Sequence, residues 1–268
     1  MGKNKTNRPP ALMLAAALTT GLAGCKPGRA VRSGVVVDNG VKPVEQPQKP
    51  PSPVESDTGT VMGVVRWKGS APKRTKIDMS ADLVCRIAAG ENQTEQYAVK
   101  DGGLANVYVY VKDGPAEAMA AAAVAQEPVL LEQSGCRFSP HVVAVMKGGA
   151  VEFRNSDGTM HSFRVGAGAS AFEMTQGAKG APEQKRFDVP AVMIPVLGKS
   201  HAWMGAFLNV SATPFFAVTD ATGRFDISGL PAGTYTLAAV HEKLGEQTLS
   251  VTVASKSQSS AEFTFKAK

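Results

Sequence analysis

Cysteine is scarce in this chain: its 268 residues carry three, Cys25, Cys85 and Cys136, and no C-x-x-C pair. G-x-S-x-G, H-E-x-x-H and the full P-loop pattern G-x-x-x-x-G-K-[ST] are absent as well, which removes the motifs for elbow hydrolases, zincins and phosphate-loop enzymes. Ser200 and His201 are neighbours, but adjacent side chains on an extended segment point apart, so they make no nucleophile–base pair. With no catalytic set in view, the chain reads as non-catalytic. Apolar runs are short too. Ala11 to Leu18 is too brief to span a bilayer, and no other segment could do so. The formal charge is +6. Lys3, Lys5 and Arg8 lie at the extreme N-terminus, and Lys26, Arg29, Arg32, Lys42 and Lys49 face Asp38, Glu45, Glu55 and Asp57 over the next stretch. The remainder of the chain is near neutral, so the basic face that nucleic-acid binding needs is missing.

The chain itself begins with an address. Residues 1–25 have a positive start, an apolar centre and Leu22-Ala23-Gly24-Cys25. That ending resembles the lipobox of bacterial lipoproteins, which implies cleavage and lipidation at Cys25. Lys26 in place of Asp implies sorting to the outer membrane, with the body facing the periplasm or cell surface and membrane contact through acyl chains. Residues 26–58 read as a tether: Pro43, Pro47, Pro50, Pro51 and Pro53 punctuate a polar stretch without aromatics.

Beyond it, period-2 alternation dominates. Val61, Val65 and Trp67 share one face of a strand, as do Val107, Val109 and Val111. Val143 and Val145, then Val151 and Phe153, alternate on either side of Lys147-Gly148-Gly149 and predict a strand pair around a turn. Asp220 to Gly223 predicts a turn between two further strands, Phe215–Thr219 and Arg224–Ile227. Pro115 to Gln126 is Ala-rich and reads as a short helix or ordered loop. Cys85 and Cys136, an even pair in an oxidising compartment, are expected to form a disulfide. His141 and His241 are expected to be hydrogen-bonded structural residues.

Phe138-Ser-Pro, the turn ending Val151-Glu-Phe-Arg-Asn-Ser-Asp157, His161 and His201-Ala-Trp-Met204 resemble the cupredoxins, the plastocyanin-like family. The resemblance implies copper held by His161, His201 and Met204. It also departs from the pattern: the position that should carry the thiolate ligand is Gly198. Blue-copper electron transfer uses a His₂Cys site, so a true electron carrier would need Cys136 to supply the sulfur. A copper donor or acceptor protein is the partner implied, and a metal-free structural or ligand-binding module is the alternative. The stretch Thr219-Asp220-x-x-Gly223-x-Phe225 with Leu230-Pro231-x-Gly233-x-Tyr235 resembles the carboxypeptidase regulatory-like (transthyretin-like) domain. Together these imply an all-β chain in which a cupredoxin-like Greek-key sandwich (128–212) interrupts a transthyretin-like one (59–127 and 213–268).

Overall fold

A computed structural model describes residues 57–88, 90, 92–121 and 126–267. Cys25 and nearly all of the tether fall outside them. The alternating segments become strands in three successive groups. The first holds β1 (Gly59–Lys68), the six-residue helix α1 (Leu83–Ala88), β2 (Val99–Lys100), β3 (Gly103–Leu104), β4 (Tyr108–Asp113) and the short helix α2 (Ala116–Met119). The second holds β5 (Val129–Gln133), β6 (Phe138–Ser139), β7 (Val142–Met146), β8 (Gly149–Asn155) and β9 (His161–Val165). It continues with β10 (Phe172–Gln176), β11 (Glu183–Phe187), β12 (Ala191–Gly198) and β13 (Gly205–Ser211). The third holds β14 (Phe216–Val218), β15 (Arg224–Leu230), β16 (Gly233–His241), β17 (Gly245–Val253) and β18 (Gln258–Lys266).

Sheet membership follows that grouping. Strands β15-β1-β3-β2, with β18 parallel to β1, face β14-β4-β16-β17, drawing only on the first and third groups. Strands β10-β9-β12-β13-β7 face β11-β8-β5-β6, drawing only on the second. Each pair of sheets encloses its own core. Val61, Val65, Trp67, Val109, Val111, Phe225 and Leu237 fill one; Leu131, Val143, Val145, Val151, Phe153, Phe163 and Leu208 fill the other. The protein is thus all-β, with two sandwiches. The Tyr235 hydroxyl donates to the Pro231 carbonyl at 2.6 Å, pinning the entry to β16, as a tyrosine corner does.

The expected β7–β8 strand pair is not a pair. β7 hydrogen-bonds to β13, whereas β8 lies in the opposite sheet with β5 and β11. The turn between them crosses the sandwich, with Lys147 N–H bonded to Ser211 O and Gly148 N–H to Phe187 O. β14 and β15 behave likewise, pairing with β4 and β1 in different sheets. Alternation reports which face of a strand is buried, and an arch that turns both strands onto one core gives the same pattern as a hairpin.

Candidate metal centre

Two histidines meet at one end of the second sandwich. His161 opens β9, delivered by a turn that Asn155 knits together. The Asn155 amide donates to the carbonyls of Thr159 and Gly177 at 2.9 and 2.8 Å, and its oxygen accepts Asp157 N–H at 3.0 Å. His201 comes from the β12–β13 turn, which closes when Met204 N–H reaches His201 O and Gly198 N–H reaches Met204 O, both at 2.9 Å. The two Nδ1 atoms face each other at 3.1 Å. The two residues are 1% and 6% exposed.

The opposite edge of each ring carries a carboxylate. His161 Nε2 is 2.8 Å from Asp157 Oδ2, and His201 Nε2 is 3.0 Å from Asp82 Oδ2. Burial pushes Asp157 up, but hydrogen bonds from His161 and the Cys136 and Gly135 amides outweigh it and hold the carboxyl below its usual range. Asp82 is also held low, by the Cys85 amide first and His201 second. Both carboxylates are ionised at neutral pH and only accept. Each histidine must therefore carry its proton on Nε2. In neutral rings this leaves two bare Nδ1 lone pairs aimed at each other, an arrangement that calls for a cation between them. Bonds of about 2.0 Å to each nitrogen, at an angle near 100°, span that separation. A carboxylate on the far nitrogen of each ring is the usual support of a metal-bound imidazole.

The carboxylates are themselves joined. Asp82 Oδ1 accepts Cys85 N–H at 3.0 Å, Asp157 Oδ2 accepts Cys136 N–H at 2.9 Å, and Cys85 and Cys136 form a disulfide. The supports thus close a ring: His161, Asp157, Cys136, Cys85, Asp82, His201. Trp203 fastens the loop to it, donating from Nε1 to Cys136 O at 3.1 Å with its ring 5.0 Å from that of His201. Cys136 therefore enters this structure as a disulfide, and not as a thiolate.

Among the residues expected from sequence, His161 and His201 come together, and Met204 sits three residues on, buried, at the face that borders a cleft with Phe138 and Trp203. Gly198 lies at the end of β12 with no space for a side chain. A Cβ there would stand 2.4 Å from His201 O and 3.0 Å from Met204 Cβ. The thiolate position is filled by backbone. His141 is tied to Glu242 at 2.6 Å and to Gly205 O at 3.1 Å, joining the two sandwiches. His241 stacks on Tyr97 and accepts Lys243 N–H. Sequence reading had missed Asp82 and the role of Asp157. Asp157 lies in the quoted turn, four residues before His161. Asp82 offers only the local signal of an Asp capping a short helix.

Residues 204–266 match the carboxypeptidase regulatory-like domain. The match starts at β13, one strand before the chain returns to the first sandwich. No curated protein matches the chain. Among solved structures, part of the chain is similar to a Cu-containing nitrite reductase from Thermus scotoductus, at 24% identity and a TM-score of 0.30, covering 34% of this chain and 24% of that one. The chain thus spans about a quarter of that protein's length. It is also similar to a variant of amicyanin in its Cu(I) form (14% identity, TM-score 0.29, 38% of this chain and 98% of that one). A purple cupredoxin from Nitrosopumilus maritimus shows 17% identity and a TM-score of 0.28 over 31% of this chain and 99% of that one. The reading of the site rests on its own side chains.

Proposed function

We propose that this chain is a lipid-anchored, non-catalytic copper-binding protein of the bacterial envelope, holding copper between His161 and His201. Cys25 supplies the anchor and Met204 a soft third ligand. The observation that carries the reading is the pair of Nδ1 atoms 3.1 Å apart, each on a ring whose Nε2 is committed to a carboxylate. Imidazole with thioether suits Cu(I). The residues fit that ion without the thiolate that blue-copper electron transfer requires, so storage or delivery to a copper-accepting protein is the role that fits. Competition titration of Cu(I) into the folded body tests it. One equivalent binds tightly to the wild type, much more weakly to His161→Ala and His201→Ala, and measurably more weakly to Met204→Leu. Equal binding by wild type and both histidine variants ends the copper reading.

A metal-free envelope module is the second reading, favoured by one observation. Gly198 has lost both the thiolate and the space for it, as in a sandwich that kept its architecture and gave up its chemistry. A single proton shared between the Nδ1 atoms then stands in for the metal.

A further inference from the structure

The disulfide beside the histidine pair has surroundings that a purely structural bond does not need. Cys85 Sγ lies 3.7 Å from His201 Nε2. Donor atoms of Asp82, Cys85 and His201 lie within 4.8 Å of one another, and those of Cys136, Asp157 and His161 form a second such group. Both sulfurs are fully buried in the core with Met79 and Phe138. While bonded to each other they are poor ligands. Separated, they become thiols among imidazoles and carboxylates.

We infer that reduction of Cys85–Cys136 creates a second metal site, for a thiophilic cation such as Zn²⁺ or Cu⁺, made by Cys85, Cys136, Asp82 and the Nε2 of His201. It uses the edge of His201 opposite the one that faces His161, so it is a different site from the one proposed above and does not depend on it. Bonds of about 2.0 Å to nitrogen and about 2.3 Å to sulfur, meeting near 120°, span the 3.7 Å between His201 Nε2 and Cys85 Sγ. Asp82 Oδ2 already lies 3.0 Å from the same nitrogen, so a cation there replaces the proton the two now share. Two thiolates on one tetrahedral metal stand about 3.8 Å apart, so the sulfurs must part on reduction. α1 is the element free to allow it: it carries Cys85, has six residues, and turns Leu83 and Ile87 outward, 59% and 75% exposed.

Reduction breaks the Sγ–Sγ bond and consumes two electrons and two protons. A dithiol supplies them and leaves as its own disulfide. Metal binding then releases the two thiol protons, while the ring proton of His201 passes from Nε2 to Nδ1. In consequence, an oxidised chain presents two imidazoles to copper, and a loaded reduced one turns His201 over to a two-sulfur site and leaves a proton on the nitrogen that faces His161.

Cobalt(II) titration of the full mature chain, oxidised and separately purified reduced under anaerobic conditions, tests this. The reduced protein is expected to take up one equivalent with a thiolate-to-cobalt charge-transfer band that Zn²⁺ abolishes. That band should be missing from the oxidised protein, weakened in Cys85→Ser, Cys136→Ser and His201→Ala, and retained in His161→Ala. A folded reduced protein without the band overturns the inference, as does a band that survives Cys85→Ser unchanged or disappears in folded His161→Ala. A reduced chain that loses its fold and does not regain it on adding Zn²⁺ overturns it too. Cu(I) binding by the oxidised protein reports on the histidine pair alone and separates the two proposals.

Discussion

Replacing Asp157 with Asn changes one oxygen to nitrogen and probes the support of the candidate centre directly. Asp157 accepts three hydrogen bonds: Gly135 N–H on Oδ1 at 2.7 Å, and Cys136 N–H and His161 Nε2–H on Oδ2 at 2.9 and 2.8 Å. An amide has one acceptor oxygen. In either orientation its NH₂ faces at least one buried backbone N–H, which is left without an acceptor, at about 1–3 kcal/mol. If the amide oxygen serves Gly135, the NH₂ faces His161 Nε2 and forces that nitrogen to accept. The ring proton then moves to Nδ1, into the gap where the metal would bind. Losing such a support costs about 10–100-fold in metal affinity. Chemical denaturation and Cu(I) competition on Asp157→Asn and wild type measure both numbers. A stability loss with unchanged Cu(I) affinity would refute the tautomer reasoning, because Asp157 would then be a turn residue only. Unchanged stability would contradict the hydrogen-bond geometry itself.

Further predictions rest on separate observations. Gly198→Cys, which restores the missing thiolate, is expected to lose about 1–3 kcal/mol in denaturation through overpacking against His201 O and Met204, with no blue absorption on Cu(II) addition. A stable blue variant would show that the loop has room. Removing the disulfide as Cys85→Ser/Cys136→Ser is expected to cost about 4 kcal/mol for a closed loop of 51 residues, read from urea midpoints; a loss under about 1 kcal/mol contradicts the loop-closure argument. His241 is buried, and its pKa is pushed down to about 4, by desolvation first; Glu242 opposes this, while His141 and Lys243 add to it. The unfolded chain takes up a proton on this residue near pH 6.5 and the folded chain only near 4, so stability falls as pH drops through that window. The loss is about 3 kcal/mol, and His241→Gln should abolish it; a wild-type profile flat from about pH 7 to 4 contradicts this.

What the sequence shows of this fold, and what it hides, depends on the range of the forces involved. Val61, Val107 and Phe153 announce their buried faces because alternation is local, and the structure buries all three. The β7–β8 and β14–β15 arches stay hidden, since nothing local tells a strand which sheet it will join. The histidine pair was legible only through the resemblance that its flanking motifs carry. Its supports were only partly so: Asp157 lies in the same turn as His161, whereas Asp82 reaches His201 across 119 positions of chain. The closed thiolate position was legible as an absent cysteine but not as an absent space. That needed the His201 carbonyl in place.

The central claim is that a metal sits between His161 Nδ1 and His201 Nδ1 while both Nε2 atoms stay protonated on their carboxylates. Nitrogen-15 NMR of the imidazoles, before and after one equivalent of Cu(I), tests it most directly. Both Nδ1 resonances are predicted to shift on loading, and both Nε2–H signals to persist. Nδ1 resonances unmoved by the metal, or loss of the Nε2 protons in the oxidised protein, would contradict it.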